Sequence, residues 1–303
     1  MSSRAVAVPT RNRSGIALIL AGILWGTGGL SGSLLTMSAG LHPLSVATYR
    51  LLLGGVFAVF FLWLTGGLRE FPRTRAAFRR LAVAGGLLGL FQASYFLAVS
   101  LSSVSIATMT TIGGAPVFVA VVTAVRERRV PGVATLVSIG VALVGLVLLR
   151  WSPEGASADW RLVGGVVSAL LAGAGFATLT LVMANQVDGL DPLRTTAFGC
   201  LLGGILLLPV AGTLGMALPF HADVLGLAVY LGLVPTAVAY AAYFRGLVSA
   251  HPVLAALSAL LEPLTATVLS ALVLQERLGV VGWCGAALLV GALAVSYWRP
   301  EPR

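Results

Sequence analysis

The chain has no lysine and little charge of any kind. Charged residues are 10% of its 303 residues against 58% hydrophobic ones, and the mean hydropathy is +1.00. A soluble domain of this length cannot hide that much apolar surface, so the soluble classes are excluded and a polytopic membrane protein remains. Cysteine is scarce as well. Cys200 and Cys284 both lie inside apolar runs, which argues against a disulfide framework or a zinc site. The three histidines, His42, His221 and His251, stand at the ends of apolar runs. There is no soluble domain and no G-x-x-x-x-G-K-[ST] loop, so nothing suggests an ATP-driven pump. No cofactor and no metal are expected.

What is present is a series of ten apolar runs: 14–37, 43–65, 81–99, 103–125, 131–150, 162–184, 190–211, 222–244, 252–274 and 279–298. About 20 apolar residues cross a bilayer core as one helix. The first run, Ser14 to Met37, exceeds the roughly 7–15 residues of a signal-peptide core and lacks a small-residue cleavage site, so it reads as an uncleaved span. The net charge of +9 comes from arginines scattered at span ends, which is a topology signal rather than a nucleic-acid face. With the N-terminus inside, fifteen of the 19 arginines fall in the tails or on the inner side. Only Arg150, Arg161 and Arg277 fall outside, and Arg50 lies within a span. Both termini are therefore expected in the cytoplasm. The expected organisation is a tail over 1–13, a first unit over 14–150, a linker over 151–161, a second unit over 162–298 and a tail over 299–303.

The halves repeat. Gly40-Leu41-His42-Pro43-Leu44 aligns with Gly189-Leu190-Asp191-Pro192-Leu193, and Leu52-Leu53-Gly54-Gly55 with Leu201-Leu202-Gly203-Gly204 at the same offset. Tyr95-Phe96 matches Tyr243-Phe244, Pro116 matches Pro263, and Glu127-Arg128 matches Glu276-Arg277. Five spans per half is odd, so the second copy must sit upside down. Inverted repeats with a site at mid-depth are a transporter signature.

The chemistry is thinly spread. Glu262 is the one formal charge between Pro252 and Leu274. An ionised group at that depth costs a few kcal/mol unless it faces protein or water, so it is either a coupling or amine-binding group or a helix-locking one. Pro263 beside it, like Pro116 and Pro235, is expected to disturb its helix. Arg50 sits roughly 10 Å below the outer end of span two. It has three options: to snorkel, to pair with Glu262, or to bind a substrate carboxylate. In span one, Gly22, Gly26, Gly28 and Gly32 either pack helices closely or loosen the backbone near Trp25 for a ligand. Gln92 and Tyr95 share a face of span three, and Tyr240 and Tyr243 share one of span eight. Thr108, Thr110 and Thr111 make span four polar, although such hydroxyls commonly bond their own backbone. Gly29-Leu30-Ser31-Gly32 fits the G-x-S-G pattern of intramembrane serine proteases, but no histidine lies at its depth to serve as base.

Ala239-Tyr240-Ala241-Ala242-Tyr243-Phe244-Arg245-Gly246-Leu247, then Leu261-Glu262-Pro263, then Leu274-Gln275-Glu276-Arg277-Leu278 resembles the signature of EamA-domain transporters of the drug/metabolite transporter superfamily. Trp25-Gly26 and Arg50 are similar to that pattern too, and the likeness covers nearly the whole chain as two units. The first unit departs from it, with Ala115-Pro116 where the family often has Glu-Pro and a shorter run from Pro116 to Glu127. The resemblance implies an all-α, ten-helix carrier of a bacterial-type inner membrane, built of inverted five-helix repeats and working by alternating access. It also implies a central cavity lined from spans one, three, four, six, eight and nine. The candidates on those spans are Trp25, Thr27, Ser31, Gln92, Tyr95, Thr108, Thr111, Phe176, Tyr240, Tyr243 and Ser258. Within the family the chain looks most like the YddG-like exporters of aromatic and other neutral amino acids. Such a cavity suits a zwitterion with an apolar side chain, whereas phosphorylated cargo would need a cationic cluster that the spans lack. The expected partners are a small-molecule substrate and the lipid bilayer, without nucleic acid. A multidrug or neutral-metabolite exporter is the alternative within the class. An intramembrane enzyme and a non-transporting receptor are the alternatives outside it.

Overall fold

Three helices begin alike, with a capping side chain followed by proline. In the computed structural model His42 Nδ1 accepts from Leu44 N (3.1 Å), Asp191 Oδ1 from Arg194 N (2.8 Å) and His251 Nδ1 from Val253 N (3.4 Å). Proline next to the cap has no N–H to leave unpaired, and its φ suits a helix start. The matched motifs around His42-Pro43 and Asp191-Pro192 are thus helix N-termini. The structure describes residues 11–68, 72, 74–102, 104–149, 160–185, 190–273 and 279–298. The expected tails (1–10 and 299–303), most of the linker (151–159), and Arg4, Arg69, Arg73, Arg150, Gly189, Glu276 and Arg277 lie outside the described residues.

Every regular element among the described residues is a helix: α1 (Arg11–Ala39), α2 (Pro43–Leu64), α3 (Arg75–Leu101), α4 (Val104–Glu127), α5 (Val133–Leu149), α6 (Trp160–Met183), α7 (Pro192–Leu214), α8 (Ala222–Gly232), a π-helical turn (Leu233–Val238), α9 (Ala239–Leu247), α10 (Pro252–Ser258), α11 (Leu261–Val273) and α12 (Val280–Trp298). Nine stretches among the described residues are long and apolar enough to cross a membrane, with Ala222–Leu247 and Pro252–Leu269 each forming one, and Val133–Leu148 is a shorter apolar helix. The protein is a multi-pass membrane protein. α3 begins at Arg75 rather than at 81, because Thr74 Oγ1 accepts from Ala77 N at 3.2 Å and caps it there. Capping carries the helix beyond its apolar run.

Of the three prolines expected to disturb their helices, two break regularity and one does not. Pro235 lies in the π-helical turn, where the Thr236 hydroxyl donates to Leu231 O at 2.7 Å. Pro263 cannot donate to Ala259 O, which accepts instead from Glu262 N at 3.0 Å, and the span divides into α10 and α11 at Ala259–Leu260. Pro116 is inside α4, which continues from Val104 to Glu127 without a comparable break, so the helix does not divide there as expected.

Packing obeys an exchange of halves. α2 lies along α7, α5 along α12, α3 and α4 along α6, and α9 and α11 along α1. Swapping α1 with α6, α3 with the α8–α9 span, and α4 with the α10–α11 span maps this set of pairings onto itself. The repeated Leu-Leu-Gly-Gly motif forms the seam. A Cβ on Gly204 would stand 2.8 Å from Leu52 Cγ, and one on Gly55 would stand 2.6 Å from Leu201 Cγ. A Cβ on Gly232 would stand 2.5 Å from Leu53 Cβ, and one on Gly85 2.6 Å from Leu202 Cβ. Each leucine therefore fills a hollow that only glycine leaves open, and does so reciprocally.

The result is two bodies, one of α3, α4 and α6, the other of α1, α8–α9 and α10–α11. α6 packs on α9 and α10, and α4 on α10, but neither packs to a comparable extent on α8 or α11. The bodies meet at the end of the bundle nearest α1's first residue and α12's last. Toward the other end this packing is not continued, and that separation is the cleft between the bodies.

Candidate functional site

The cleft is floored by aromatic rings from both bodies. Trp25 of α1 contacts Phe176 of α6 edge-on (centroids 5.8 Å, 76°), Tyr240 of α9 (5.2 Å, 65°) and Tyr243 of α9 (4.9 Å, 50°). Phe176 also meets Tyr243 at 5.6 Å and Phe91 of α3 at 5.5 Å. Trp25, Phe176, Tyr240 and Tyr243 are all buried. The Thr180 hydroxyl donates to Phe176 O (3.0 Å), which leaves the Tyr243 hydroxyl to donate to Thr180 Oγ1 at 2.7 Å. That bond ties α6 to α9 where the bodies meet. Sequence reasoning missed Thr180. A threonine inside an apolar helix carries no signal until its partner is known.

Two buried donors at this level are unpartnered. Trp25 Nε1 and Gln92 Nε2 have no hydrogen-bond partner, although Gln92 is only 2% and Trp25 4% exposed. Leaving a buried donor unmet costs about 1–3 kcal/mol, so both are positions where a ligand oxygen would be welcome.

The two intramembrane charges lie beside the floor. Arg50 Nε is 3.4 Å from Thr236 Oγ1 in the π-helical turn. Glu262 stands in the first turn of α11, where unpaired N–H groups favour a carboxylate. Both side chains are half-buried. Among the described residues the Glu262 carboxylate accepts no hydrogen bond, and it forms no ion pair within 4 Å with Arg50. Both are anchored beside the same stretch of α1: a Cβ on Gly26 would stand 2.7 Å from Glu262 O, and one on Gly28 would stand 2.9 Å from Cβ of Pro235, the neighbour of Thr236.

Other expected cavity residues already have protein partners for their polar groups. The Thr111 hydroxyl donates to Ala169 O (3.1 Å) and fastens α4 to α6. Ser258 is fully buried, with Oγ 2.7 Å from Leu254 O and 2.9 Å from the Tyr297 hydroxyl, in the seam of α1, α10 and α12. The Ser31 hydroxyl donates to Thr27 O (2.9 Å), and Thr27 donates to Leu24 O (2.7 Å) while accepting from Tyr230 at 3.0 Å. Ser31 therefore has no base beside it, and the His42 and His251 rings cap helices, so the serine-protease pattern is not assembled. Tyr95 and Thr108 share a 2.8 Å hydrogen bond between α3 and α4, both half-buried. The glycines of span one pack rather than loosen: α1 is unbroken, and a Cβ on Gly22 or Gly26 would stand 2.4 Å from Ser258 O or Thr265 Cβ.

Comparison with known proteins accords with this architecture. A solved crystal structure, 18% identical, superposes with a TM-score of 0.82 over 95% of this chain and 97% of that one, which shows the fold. The uncharacterized transporter YwfM of Bacillus subtilis is 30% identical over 280 residues, 92% of each chain. An uncharacterized transporter of Archaeoglobus fulgidus is 28% identical over 286 residues, 93% of this chain and 95% of its own. The uncharacterized inner membrane transporter YicL of Salmonella typhimurium is 23% identical over 283 residues, 91% and 92% of the two chains. These names give transport without a substrate, so the narrower likeness to YddG-like exporters gains no support from them. The EamA-like transporter family matches residues 13–151 and again 163–298, one copy for each half of the exchange. The chain therefore belongs to the EamA-like transporter family.

Proposed function

We propose that the protein exports neutral amino acids, those with aromatic or other apolar side chains foremost, across a bacterial inner membrane by alternating access. The observation that carries this reading is the floor of the cleft. Four buried rings from both bodies meet there, next to one cation and one anion that are not spent on each other. An apolar floor with a few convergent polar groups is the usual form of a small-molecule site. With both termini cytoplasmic, as the arginine distribution predicts, the cleft faces outward and the Tyr243–Thr180 contact closes the cytoplasmic side. The inward-facing state then requires that contact to open and α8 and α11 to approach α4 and α6.

The test is counterflow and uptake in proteoliposomes, with a panel of labelled amino acids, with and without a pH gradient. Movement of neutral or aromatic amino acids is the expected result. A folded protein that moves none of them overturns the substrate class. Movement of apolar cations or neutral metabolites instead would establish a multidrug or metabolite exporter.

A further inference from the structure

The charges of the site break the symmetry of the frame. Arg50 precedes Leu52 by two residues, and the residue that precedes Leu201 by two is Gly199. Glu262-Pro263 has its counterpart in Ala115-Pro116. Neither charge has a charged equivalent, and both are held to the body of α1, α8–α9 and α10–α11, Glu262 within it and Arg50 of α2 through Thr236. Glu262 opens α11, and Arg50 bonds the π-helical turn of the α8–α9 span. The opposite body offers Gln92, Tyr95, Thr108 and the rings of Phe91 and Phe176, none of them ionised. A half-buried cation and anion on one wall would be expected to close into an ion pair, which removes each from an unfavourable environment. Here Arg50 leans on Thr236, and the Glu262 carboxylate is open.

We propose that this gap is a zwitterion socket, with Arg50 taking the α-carboxylate of the substrate and Glu262 its α-ammonium. This deepens the transport reading above and rests on it. The two charged groups of an α-amino acid hang from one carbon, so they insert together between a guanidinium and a carboxylate held slightly apart. The guanidinium offers parallel N–H donors to a carboxylate, and the open Glu262 oxygens accept from an ammonium. Tyr240 follows Thr236, the partner of Arg50, by one helical turn and touches Trp25, so the third substituent of that carbon is led toward the aromatic floor. The wall across the cleft carries no charge of its own, which predicts tolerance of different apolar side chains with strict demand for both charges.

The inference is tested by ligand-induced thermal stabilisation of the purified protein with L-phenylalanine, phenethylamine (no carboxylate) and 3-phenylpropionate (no ammonium). In the wild type, loss of either charged group is expected to weaken binding about 10–100-fold, the range for a hydrogen-bonded charge left without its partner. Arg50→Gln should abolish the advantage of phenylalanine over phenethylamine and keep that over 3-phenylpropionate. Glu262→Gln should do the reverse. Arg50→Lys and Glu262→Asp, which keep the charges, should retain both preferences and carry the test should a glutamine variant fail to fold. Phenylalanine that binds and moves while neither variant changes its matching ratio overturns the socket and leaves the transporter reading intact. Should no neutral amino acid bind or move, both fall.

Discussion

Trp25 offers the sharpest separation between a packing role and a binding role, because its ring is fully used and its N–H is not. The indole contacts Phe176, Tyr240 and Tyr243 with centroids 4.9–5.8 Å away. Contacts of this kind contribute roughly 0.5–1.5 kcal/mol each beyond burial. Removing the ring altogether, as in Trp25→Ala, should therefore cost about 3–5 kcal/mol. Trp25→Phe is different. It keeps an aromatic ring and gives up roughly two CH₂ equivalents of burial, on the order of 1.5 kcal/mol. It also removes a buried donor that has no partner, which returns about 1–3 kcal/mol. The two nearly cancel, so the melting temperature of Trp25→Phe should stay close to that of the wild type. Substrate affinity should not stay the same. If the N–H donates to a substrate oxygen, its loss removes about 0.5–1.5 kcal/mol, or up to about 3 if the acceptor is charged, which is between twofold and 100-fold in Kd. Thermal unfolding without ligand and ligand-induced stabilisation, measured on the same preparation, give both quantities. A Trp25→Phe variant that melts far lower yet binds substrate as tightly as the wild type would refute the argument and reduce Trp25 to packing.

Tyr243→Phe deletes the hydroxyl that joins α9 to Thr180, which is worth about 0.5–1.5 kcal/mol to the closed end. A Met183→Cys reporter in a background lacking Cys200 and Cys284 should react severalfold faster with a soluble maleimide in that variant, and an unchanged rate would show that the bond does not hold the end shut. Gly55→Ala and Gly204→Ala drive a methyl into Leu201 and Leu52 and should each cost about 1–3 kcal/mol by thermal melting. Gly140→Ala, with nothing within 4 Å of the new methyl, should be neutral or stabilising by up to about 1 kcal/mol, and equal losses at all three sites would undo the seam. If alternating access exchanges the conformations of matched spans, α4 should break in the inward state at Ile112–Gly113, the counterparts of Ala259–Leu260. Hydrogen exchange should then rise at the amides just before Pro116 when substrate is present inside, and unchanged protection there would exclude the exchange.

Much of the frame was legible because it is written in features that survive without a partner. Apolar run length and the offset between His42-Pro43 and Asp191-Pro192 depend only on local sequence and the bilayer. Helix ends were less legible. Thr74 extends α3 by capping, which hydropathy does not register. The site was legible by residue type and not by role. Ser31, Thr111 and Ser258 looked like Tyr95 or Gln92 in sequence, since all are polar groups in apolar helices. Only the fold reveals that the first three have partners close at hand and that Gln92 Nε2 has none. The same holds for the glycines of span one, whose close approach to the α10–α11 junction is a property of two helices and cannot be read from one.

The two kinds of glycine and the two kinds of charge make a single physical point about how such a carrier is built. A cleft that opens alternately on two sides needs a frame whose two arrangements are nearly equal in energy, and a repeated motif interlocked with its inverted copy provides this. Leu52 in the hollow of Gly204 and Leu201 in that of Gly55 look the same from α2 and from α7, so tilting one helix against the other exchanges like contacts for like. On the proposed amino-acid reading the substrate site has the opposite requirement, because an amino acid has no twofold axis. Its cation and anion must be read by different groups, and a symmetric site would have to place two like charges in the membrane for every one it used. With Gly199 as the repeat counterpart of Arg50 and Ala115 as that of Glu262, the chain avoids that conflict. One charge of each sign is retained, on one wall, where their sum is zero and the cost of carrying them through the bilayer is least.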